Sequence, residues 1–278
     1  MRALAVLLSL LLLLVAGCAG AARERSLVLA TTTSTQDSGL LDELLPAFTQ
    51  ETGWRVQTVA VGSGQAIELG RRGEADVLLV HSPAAEQEFV AEGTAADRRL
   101  VMHNDFVLVG PPADPAGVRG TDSVAAMRAV AGAEAVFVSR GDESGTNAKE
   151  TSLWERVGIV PGGEWYQSTG QGMGETLRVA SERQAYTLSD RASFLAQRDT
   201  LALEVLSEGD PGLLNVYHVI PLTTRAGERV QEAGGAAFAD WITSPGAQDR
   251  IADFGVAEFG QPLFVPDAGK DPAELGVG

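Results

Sequence analysis

The chain has 278 residues, 45% of them hydrophobic, and a formal net charge of −16. It is therefore long enough to bury a large core, most plausibly as two lobes, while its acidity argues against nucleic-acid binding, which needs a basic face. A buried anion site is not excluded, because such a site works through local dipoles and one arginine, whereas salt screens the distant surface charge over about 8 to 10 Å.

The first 17 residues have the pattern of a secretory signal. One arginine precedes a nearly unbroken run of Ala, Leu and Val, and small residues follow immediately before Cys18. The run is too short for an ordinary membrane span, which needs ~20 residues. Cys18 is the only cysteine in the sequence, and its position resembles the lipidated cysteine of bacterial lipoproteins. We expect export and a lipid anchor at Cys18; the alternative is a plain signal peptide.

Hydroxyl side chains follow the first predicted strand, over 27–30, and precede a helix whose apolar residues share one face. In an open α/β sheet, ligands bind in the crevice above the carboxyl ends of the strands. The candidate ligand-binding residues of this loop are Thr31, Thr32, Thr33 and Ser34.

A second candidate loop, Gly62-Ser63-Gly64, lies between a predicted strand over 54–61 and a predicted helix over 66–72. Two glycines beside one serine allow the backbone to approach a ligand closely. Ser63 is therefore a candidate ligand-binding residue.

The third loop, Ser139 to Thr146, carries the strongest signal. It precedes a predicted helix, whose N-terminus offers unpaired N–H groups and the positive end of the helix dipole, beside the hydroxyls of Ser144 and Thr146. Arg140 has a planar fork that matches two oxygens of a tetrahedral anion. Asp142 would repel an anion unless it faces Arg140 and fixes the guanidinium. The alternative is an ordinary capped turn.

A fourth loop, over 168–176, contains G-x-G-x-G and not the dinucleotide pattern G-x-G-x-x-G, so a nicotinamide site is not expected. Gly174 is a candidate for donating a backbone N–H to the ligand, or else it only shapes the turn. Arg178 and Arg191 are better explained by salt bridges.

Strands and amphipathic helices alternate along the chain, which predicts an α/β protein with largely parallel sheets. Two long apolar strands, Asn104 to Pro112 and Asn215 to Pro221, are interpreted as crossovers between lobes. The predicted divisions are a signal peptide over 1–17, a tether over 18–26, lobe one over 27–106 plus 219–265, lobe two over 107–218, and a flexible tail over 266–278.

Motifs of common enzyme classes are missing from the sequence. It has no G-x-S-x-G elbow, no P-loop lysine and no H-E-x-x-H, and His81, His103 and His218 lack metal-ligand spacing. We therefore expect no catalysis, no cofactor and no bound metal. Each histidine is expected to be structural, although His81 lies near the predicted cleft.

Five segments together resemble the solute-binding lipoproteins of bacterial tungstate ABC transporters, of the TupA type. The resemblance covers essentially the whole mature chain. It implies a two-lobe periplasmic-binding-protein type II fold with two crossover strands as hinge, closing on an oxyanion that is delivered to a membrane permease with a separate ATPase. It also implies ligand contacts from Arg140, Thr146 and the first loop. The segments are 31–34, 61–64, 76–83, 139–146 and 186–191.

The ligand itself stays open between several oxyanions. The Arg-x-Asp-x-Ser-Gly-Thr spacing is also similar to that of phosphate-binding proteins, which additionally use an aspartate to accept the proton of hydrogen phosphate. Here the third strand runs into His81-Ser82-Pro83, without a carboxylate. A site made of donors suits a fully deprotonated dianion, which favours tungstate or molybdate, whereas sulfate must be excluded by size.

A sensor lipoprotein without transport would share every one of these features. We expect a monomer, either lipid-anchored to the outer face of the bacterial cell membrane or periplasmic.

Overall fold

The structure, a computed structural model, describes residues 25–271 and residue 275. The predicted signal peptide and Cys18 lie outside the described residues. The ten strands of this part are β1 Arg25–Thr32, β2 Trp54–Val61, β3 Val77–Val80, β4 Arg99–Gly110, β5 Phe137–Ser139, β6 Tyr166–Ser168, β7 Thr187–Asp190, β8 Glu204–Ser207, β9 Leu214–Pro221 and β10 Val265–Pro266.

The helices alternate with these strands, as the sequence predicts. In the described part they are α1 Thr33–Asp37, α2 Leu40–Thr52, α3 Ser63–Arg71, α4 Pro83–Ala91, α5 Ser123–Gly132, α6 Gly145–Val157, α7 Met173–Arg183, α8 Arg191–Gln197, α9 Glu232–Ile242, α10 Pro245–Asp253 and α11 Val256–Phe259.

The strands form one large mixed sheet and a small parallel pair. The large sheet has the order β10-β4-β9-β3-β1-β2, with β7 and β8 also paired to β4, while β5 and β6 form the second sheet. β1 is parallel to both β2 and β3. All antiparallel pairings between these described strands involve β4 or β9, so the antiparallel character comes from the two long strands that were predicted as crossovers.

Strand β4 connects two halves of the molecule. From Arg99 to Asp105 it pairs with β9, which continues the sheet through β3 to β1 and β2. From Phe106 onward it pairs with β7 and β8. The change of partner falls beside the predicted lobe boundary at 106/107. We call the half containing β1, β2 and β3 lobe one, and the half containing β5 to β8 lobe two.

Each half has its own aromatic core. In lobe one, Phe48 of α2 packs edge-on against Phe238 of α9, with ring centroids 5.2 Å apart, so the C-terminal helices pack on the first section of the chain. In lobe two, Phe137 of β5 packs edge-on against Trp154 of α6 at 5.3 Å. Burial of these rings stabilises the platforms from which the loops project.

Two helix boundaries follow directly from local sequence. Helix α2 buries the apolar face predicted for it and ends at Gly53, whose φ of 74° is the left-handed conformation that glycine adopts at low cost. Helix α10 begins with Pro245 after Ser244, whose hydroxyl accepts a hydrogen bond from Ala247 N; proline is favoured at the first position of a helix, where its missing N–H would have no partner.

The C-terminal segment packs against the fold as far as Asp267, beyond the point where the sequence predicts a flexible tail. Val265 and Pro266 pair with β4 as strand β10. Asp267 is 1% exposed, and its carboxylate contacts His103 Nδ1 at 2.5 Å and Lys270 Nζ at 2.7 Å. The prediction of a flexible tail from residue 266 is therefore wrong for this stretch, because a buried ion-paired carboxylate and a strand pairing fix a segment whose composition suggests a loose end.

Replacing Asp267 by alanine tests this anchor. We expect Asp267→Ala to destabilise the protein by about 1 to 3 kcal/mol, since it leaves His103 without its buried partner. The measurement is urea unfolding followed by circular dichroism. Asp249→Ala, which removes an exposed carboxylate from α10, is the control and should change stability by under about 0.5 kcal/mol. Equal stability of both variants would contradict the anchoring role.

Candidate functional site

Four loops meet between the two lobes. A Cβ placed on Gly62, just before α3, would lie 3.3 Å from the carbonyl oxygen of Asp142 in the loop before α6. A Cβ on Gly172, just before α7, would lie 3.7 Å from Thr33 Oγ1 at the start of α1. These contacts pair the N-terminal end of α3 with that of α6 and the N-terminal end of α7 with that of α1, and the hydrogen bond from Arg140 to Thr33 connects the two pairs. The unpaired N–H groups at these ends favour negative charge there.

Arg140 is the central charged residue of this junction. Its side chain is 2% exposed, and its Nη2 donates to Asp142 Oδ2 at 2.5 Å and to Thr33 Oγ1 at 3.1 Å. The contact with Asp142 is the one expected from the sequence, and the contact with Thr33 joins the two lobes. Nε and Nη1 are buried and have no hydrogen-bond partner within the described part of the chain. Burying charged donors in this state is costly unless an anion accepts from them.

Two hydroxyl groups are likewise buried without a hydrogen-bond partner among the described residues. Ser63 Oγ, at the start of α3, and Thr146 Oγ1, in the first turn of α6, are buried without a partner among residues 25–271. Ser144 Oγ accepts from Asn147 N at 3.2 Å as the cap of α6, and its own proton remains available. Gly145 and Thr146 are the first two residues of that helix, so their N–H groups have no partner inside it.

The hydroxyl groups of the first loop are used differently. Thr31 Oγ1 donates to Leu79 O at 2.7 Å, so it has no proton left for a ligand. Thr32 caps α1, where its Oγ1 accepts from Thr35 N at 3.2 Å. Ser34 Oγ lies 3.1 Å from Thr32 Oγ1. Within this loop, Thr33 is the residue that contacts Arg140.

His81 contributes more than the sequence indicated. Its ring packs 4.7 Å from that of Tyr217, and its Nε2 lies 3.1 Å from Thr32 Oγ1 and 3.3 Å from Ser34 Oγ. Burial, with the positive charge of Arg140 adding to it, lowers the pKa of His81 to about 3, so the ring is neutral at physiological pH. Nδ1 has no hydrogen-bond partner in the described part of the chain. The feature of the sequence that could have indicated this role is that His81 directly follows a buried strand, as Thr31 follows the strand predicted over 27–30.

Asp190 is a further buried residue that sequence reasoning passed over. It ends β7 and caps α8, and burial raises the pKa of its carboxyl, while the backbone N–H and hydroxyl of Ser193 and then the charge of Arg140 oppose that shift. The neighbouring Arg191 pairs with Asp105 through two hydrogen bonds of 2.7 and 2.6 Å, and Arg178 pairs with Glu175, so both arginines form the salt bridges expected from the sequence.

Gly174 does not have an evident contact with the other site residues. It lies inside the first turn of α7, and a Cβ there would lie 2.8 Å from Gln197 Nε2 on α8. The preceding Gly172 is the residue next to Thr33. Donation from the Gly174 N–H to a ligand therefore stays a prediction.

A buried carboxyl group supports the loop that carries Arg140. Glu150 Oε2 accepts from Ser139 Oγ at 2.6 Å, and Oε1 accepts from Tyr166 OH at 2.7 Å and Trp154 Nε1 at 3.0 Å. Burial raises the pKa of Glu150, and the three donors oppose that shift. Three donors from three directions fix the position of Ser139 and hence the start of the loop.

Over residues 25–271 and 275, no helix is both long enough and apolar enough to cross a membrane. The same residues contain no group of three or more His, Cys, Asp or Glu side chains placed to hold a metal ion. A charged arginine, hydroxyls and helix N-termini can bind an oxyanion.

Comparison with known proteins gives a consistent result. The model of the PBP superfamily domain matches residues 19–245. The tungstate-binding protein TupA of Peptoclostridium acidaminophilum is 50% identical over 248 residues, covering 88% of this chain and 87% of that protein.

Two solved structures are similar as well. The tungstate-binding protein TupA from Desulfovibrio alaskensis is 43% identical with a TM-score of 0.74, over 88% of this chain and 99% of that one. The tungstate ABC transporter structure from Geobacter sulfurreducens is 42% identical with a TM-score of 0.77, over 83% and 99%.

Gly145 tests the close contact of the lobes at this site. A Cβ there would lie 2.6 Å from His81 Nδ1 and 3.1 Å from His81 O, so Gly145→Ala should hold the lobes apart. We expect small-angle X-ray scattering, measured with tungstate present, to give a larger radius of gyration for Gly145→Ala than for the unaltered protein.

The control for this substitution is Gly246→Ala. Gly246 also lies in the first turn of a helix, and nothing lies within 4 Å of its added Cβ. Alanine is a better helix former than glycine, so this variant should stay compact and equally stable or slightly more stable. Identical scattering from both variants would show that Gly145 does not limit closure.

Proposed function

Because this chain belongs to the TupA family of tungstate-binding proteins within the PBP superfamily, we propose that it captures tungstate outside the cytoplasm and delivers it to an ABC importer. The family resemblance and the two-lobe α/β fold class inferred from the sequence are confirmed by these relatives. The relatives are named for binding and transport of an anion, which agrees with the expectation that the chain is not an enzyme.

One observation supports the proposal most directly: four buried donor atoms without partners lie on residues of the meeting loops. They are Arg140 Nε, Arg140 Nη1, Ser63 Oγ and Thr146 Oγ1, and all four are unpaired within the described residues. Buried polar atoms are normally hydrogen-bonded, so donors left in this state indicate a ligand that accepts from them. Residues of both lobes contribute, so the ligand would join the lobes.

The number of donors is sufficient for tight binding. Hydrogen bonds to a charged group contribute about 1.5 to 3 kcal/mol each before ordering costs, and nanomolar binding corresponds to a net binding free energy of about 12 kcal/mol. The four unpaired donors, together with the hydroxyl of Ser144 and the free N–H groups at the start of α6, reach this range.

The charge of the site favours a fully deprotonated ligand. Hydrogen phosphate would bring a proton that needs an acceptor, and the end of β3 carries no carboxylate for it; the neutral His81 there can accept through one ring nitrogen only. Molybdate shares the charge and shape of tungstate, and sulfate shares the charge at a smaller size. The names of the relatives favour tungstate over these alternatives.

Delivery implies a permease with its ATPase as partners, and we propose a monomeric protein tethered to the outer face of the cell membrane through a lipid on Cys18. The basis is the lipoprotein pattern around Cys18, a residue outside the described part of the chain. A sensor role without transport is the remaining alternative, and loss of tungstate uptake on deletion of the gene would exclude it.

Arg140 is the residue on which the proposal is tested. We expect Arg140→Ala to raise the Kd for tungstate by a factor of about 100 or more, since it removes the buried charge and at least two charged hydrogen bonds. Calorimetric titration with tungstate, molybdate, sulfate and phosphate, in a buffer free of competing oxyanions, measures affinity and selectivity together.

Arg183→Ala is the matched control, because Arg183 is exposed on α7 and donates to Gln167 on the surface. It should bind as the unaltered protein does. Binding of sulfate or phosphate in preference to tungstate would show that the proposed ligand is wrong, and an unchanged Kd in Arg140→Ala would remove Arg140 from the site.

Thr146 allows a test at the level of one hydroxyl group. Thr146→Val keeps the shape and removes the donor, so tungstate binding should weaken about tenfold or more, whereas Thr146→Ser keeps the donor and should bind within a few-fold of the unaltered protein. The same titration measures both variants. Equal weakening in both would attribute the effect to packing, not to the hydroxyl.

A further inference from the structure

Asp190 has a buried carboxylate oxygen that forms no hydrogen bond within the described residues, although the buried hydroxyl of Ser193 acts on the same carboxyl group and lowers its pKa. The side chain is completely buried, and Oδ1 caps α8 by accepting from Ser193 N at 2.9 Å. Oδ2 is also buried and has no hydrogen-bond partner in the described part of the chain. A carboxylate oxygen removed from water without a donor is costly, whereas a protonated oxygen can itself donate.

Arg140 is the cation that acts on this carboxyl group. Its charge lies close enough to oppose the effect of burial on the pKa of Asp190, and the structure shows no other cation acting on Asp190 within the described residues. Tyr217 on β9 also senses Asp190, but burial raises the pKa of Tyr217 well above its ordinary value, so it stays neutral. His81, at the end of β3, is neutral as well.

The remaining charged groups on the neighbouring elements have partners of their own. Asp105 on β4 is bonded to Arg191. On α6, Lys149 donates to Gly212 O at 2.9 Å and Glu150 is surrounded by three donors. On α7, Glu175 pairs with Arg178.

Asp37 on α1 has a pKa that burial raises and that Arg140 and Arg178 lower. Asp37 is a further carboxyl group that senses Arg140, and the variant Asp190→Asn distinguishes it from Asp190.

The number of negative charges around Arg140 favours the protonated, neutral form of Asp190 when a dianion is bound. Arg140 already forms an ion pair with Asp142. A bound dianion brings two further negative charges to the same guanidinium, and an ionised Asp190 would add a third with no cation left to balance it. Like charges held close together in a buried site favour the neutral form of one of them.

We propose that Asp190 takes up one proton from solvent when the oxyanion binds, so that a neutral carboxylic acid lies beside Arg140 in the loaded protein. The inference rests on the proposed function, because it requires a dianion at Arg140. One O–H bond forms on the carboxyl group and no other bond changes. The uptake requires that Asp190 is ionised at neutral pH before the anion binds.

The consequence is a defined dependence of affinity on pH. If the complex holds one proton more than the free protein, the Kd rises with pH, by up to about tenfold per pH unit where the free carboxyl is ionised and the bound one is protonated. Tungstate would therefore be captured more tightly in acidic surroundings.

Asp190→Asn is the decisive variant. Asparagine caps helices as well as aspartate does and carries a donor in place of the acidic proton, so α8 should be preserved. The experiment is calorimetric titration of the mature protein with micromolar sodium tungstate between pH 6.5 and about 9, in pairs of buffers with different ionisation enthalpies, so that the number of protons taken up is measured directly.

We expect the unaltered protein to take up close to one proton per tungstate in the upper part of this range, with the Kd rising accordingly. Asp190→Asn should lose both effects and bind tungstate about tenfold or more tightly than the unaltered protein at the alkaline end. Asp122→Asn is the matched control, since Asp122 caps α5 by accepting from Ala125 N at 2.7 Å, on a helix that takes no part in the site. It should behave as the unaltered protein does.

Three results would overturn the proposal. They are absence of proton uptake at every pH in the unaltered protein, an equal pH dependence in Asp190→Asn, and loss of binding in a folded Asp190→Asn. The proton count needs no variant, so it decides the matter even if Asp190→Asn fails to fold. Failure of the unaltered protein and of Asp122→Asn to bind tungstate at any pH would instead contradict the proposed function.

Discussion

The buried guanidinium of Arg140 is the interaction on which the rest of the site depends. A charge at 2% exposure is tolerated only when partners surround it, and the chain supplies one carboxylate, Asp142, and one hydroxyl, Thr33. The two remaining nitrogens, Nε and Nη1, have no partner in the described part of the chain and are available to donate to a bound anion. These unpaired donors allow a ligand to bind tightly, because an arginine with all its donors already paired would gain no hydrogen bonds from a ligand.

The same arginine connects binding to the arrangement of the lobes. It starts from lobe two and reaches Thr33 of lobe one, and Gly145 lets the start of α6 approach His81. These contacts exist only while the lobes are together. A ligand that accepts hydrogen bonds from both sides therefore stabilises the closed arrangement through its differential affinity for it.

The surroundings keep the local charge low in spite of the strongly acidic surface. His81 is neutral because it is buried beside Arg140, and Glu150 lies among three donors behind the loop. Neutral donors and helix N-termini can stabilise a dianion without adding titrating cations. Asp190 is the exception within this environment, which is why its protonation state matters for the affinity.

The sequence by itself determined the alternation of strands and helices, the two loops that carry Ser63 and Arg140 with Thr146, and the family, because strand periodicity, helix caps and short polar loops are local properties. Tertiary structure decided what each side chain does. Thr31 gives its proton to β3, His81 joins the hydroxyl network, and Asp267 anchors the C-terminal segment. These outcomes depend on partners 48 to 164 residues away in the chain, and no local pattern encodes such distances. Burial and the nearby charge of Arg140 also shift the pKa values of His81 and Asp190, and neither effect can be read from the local sequence.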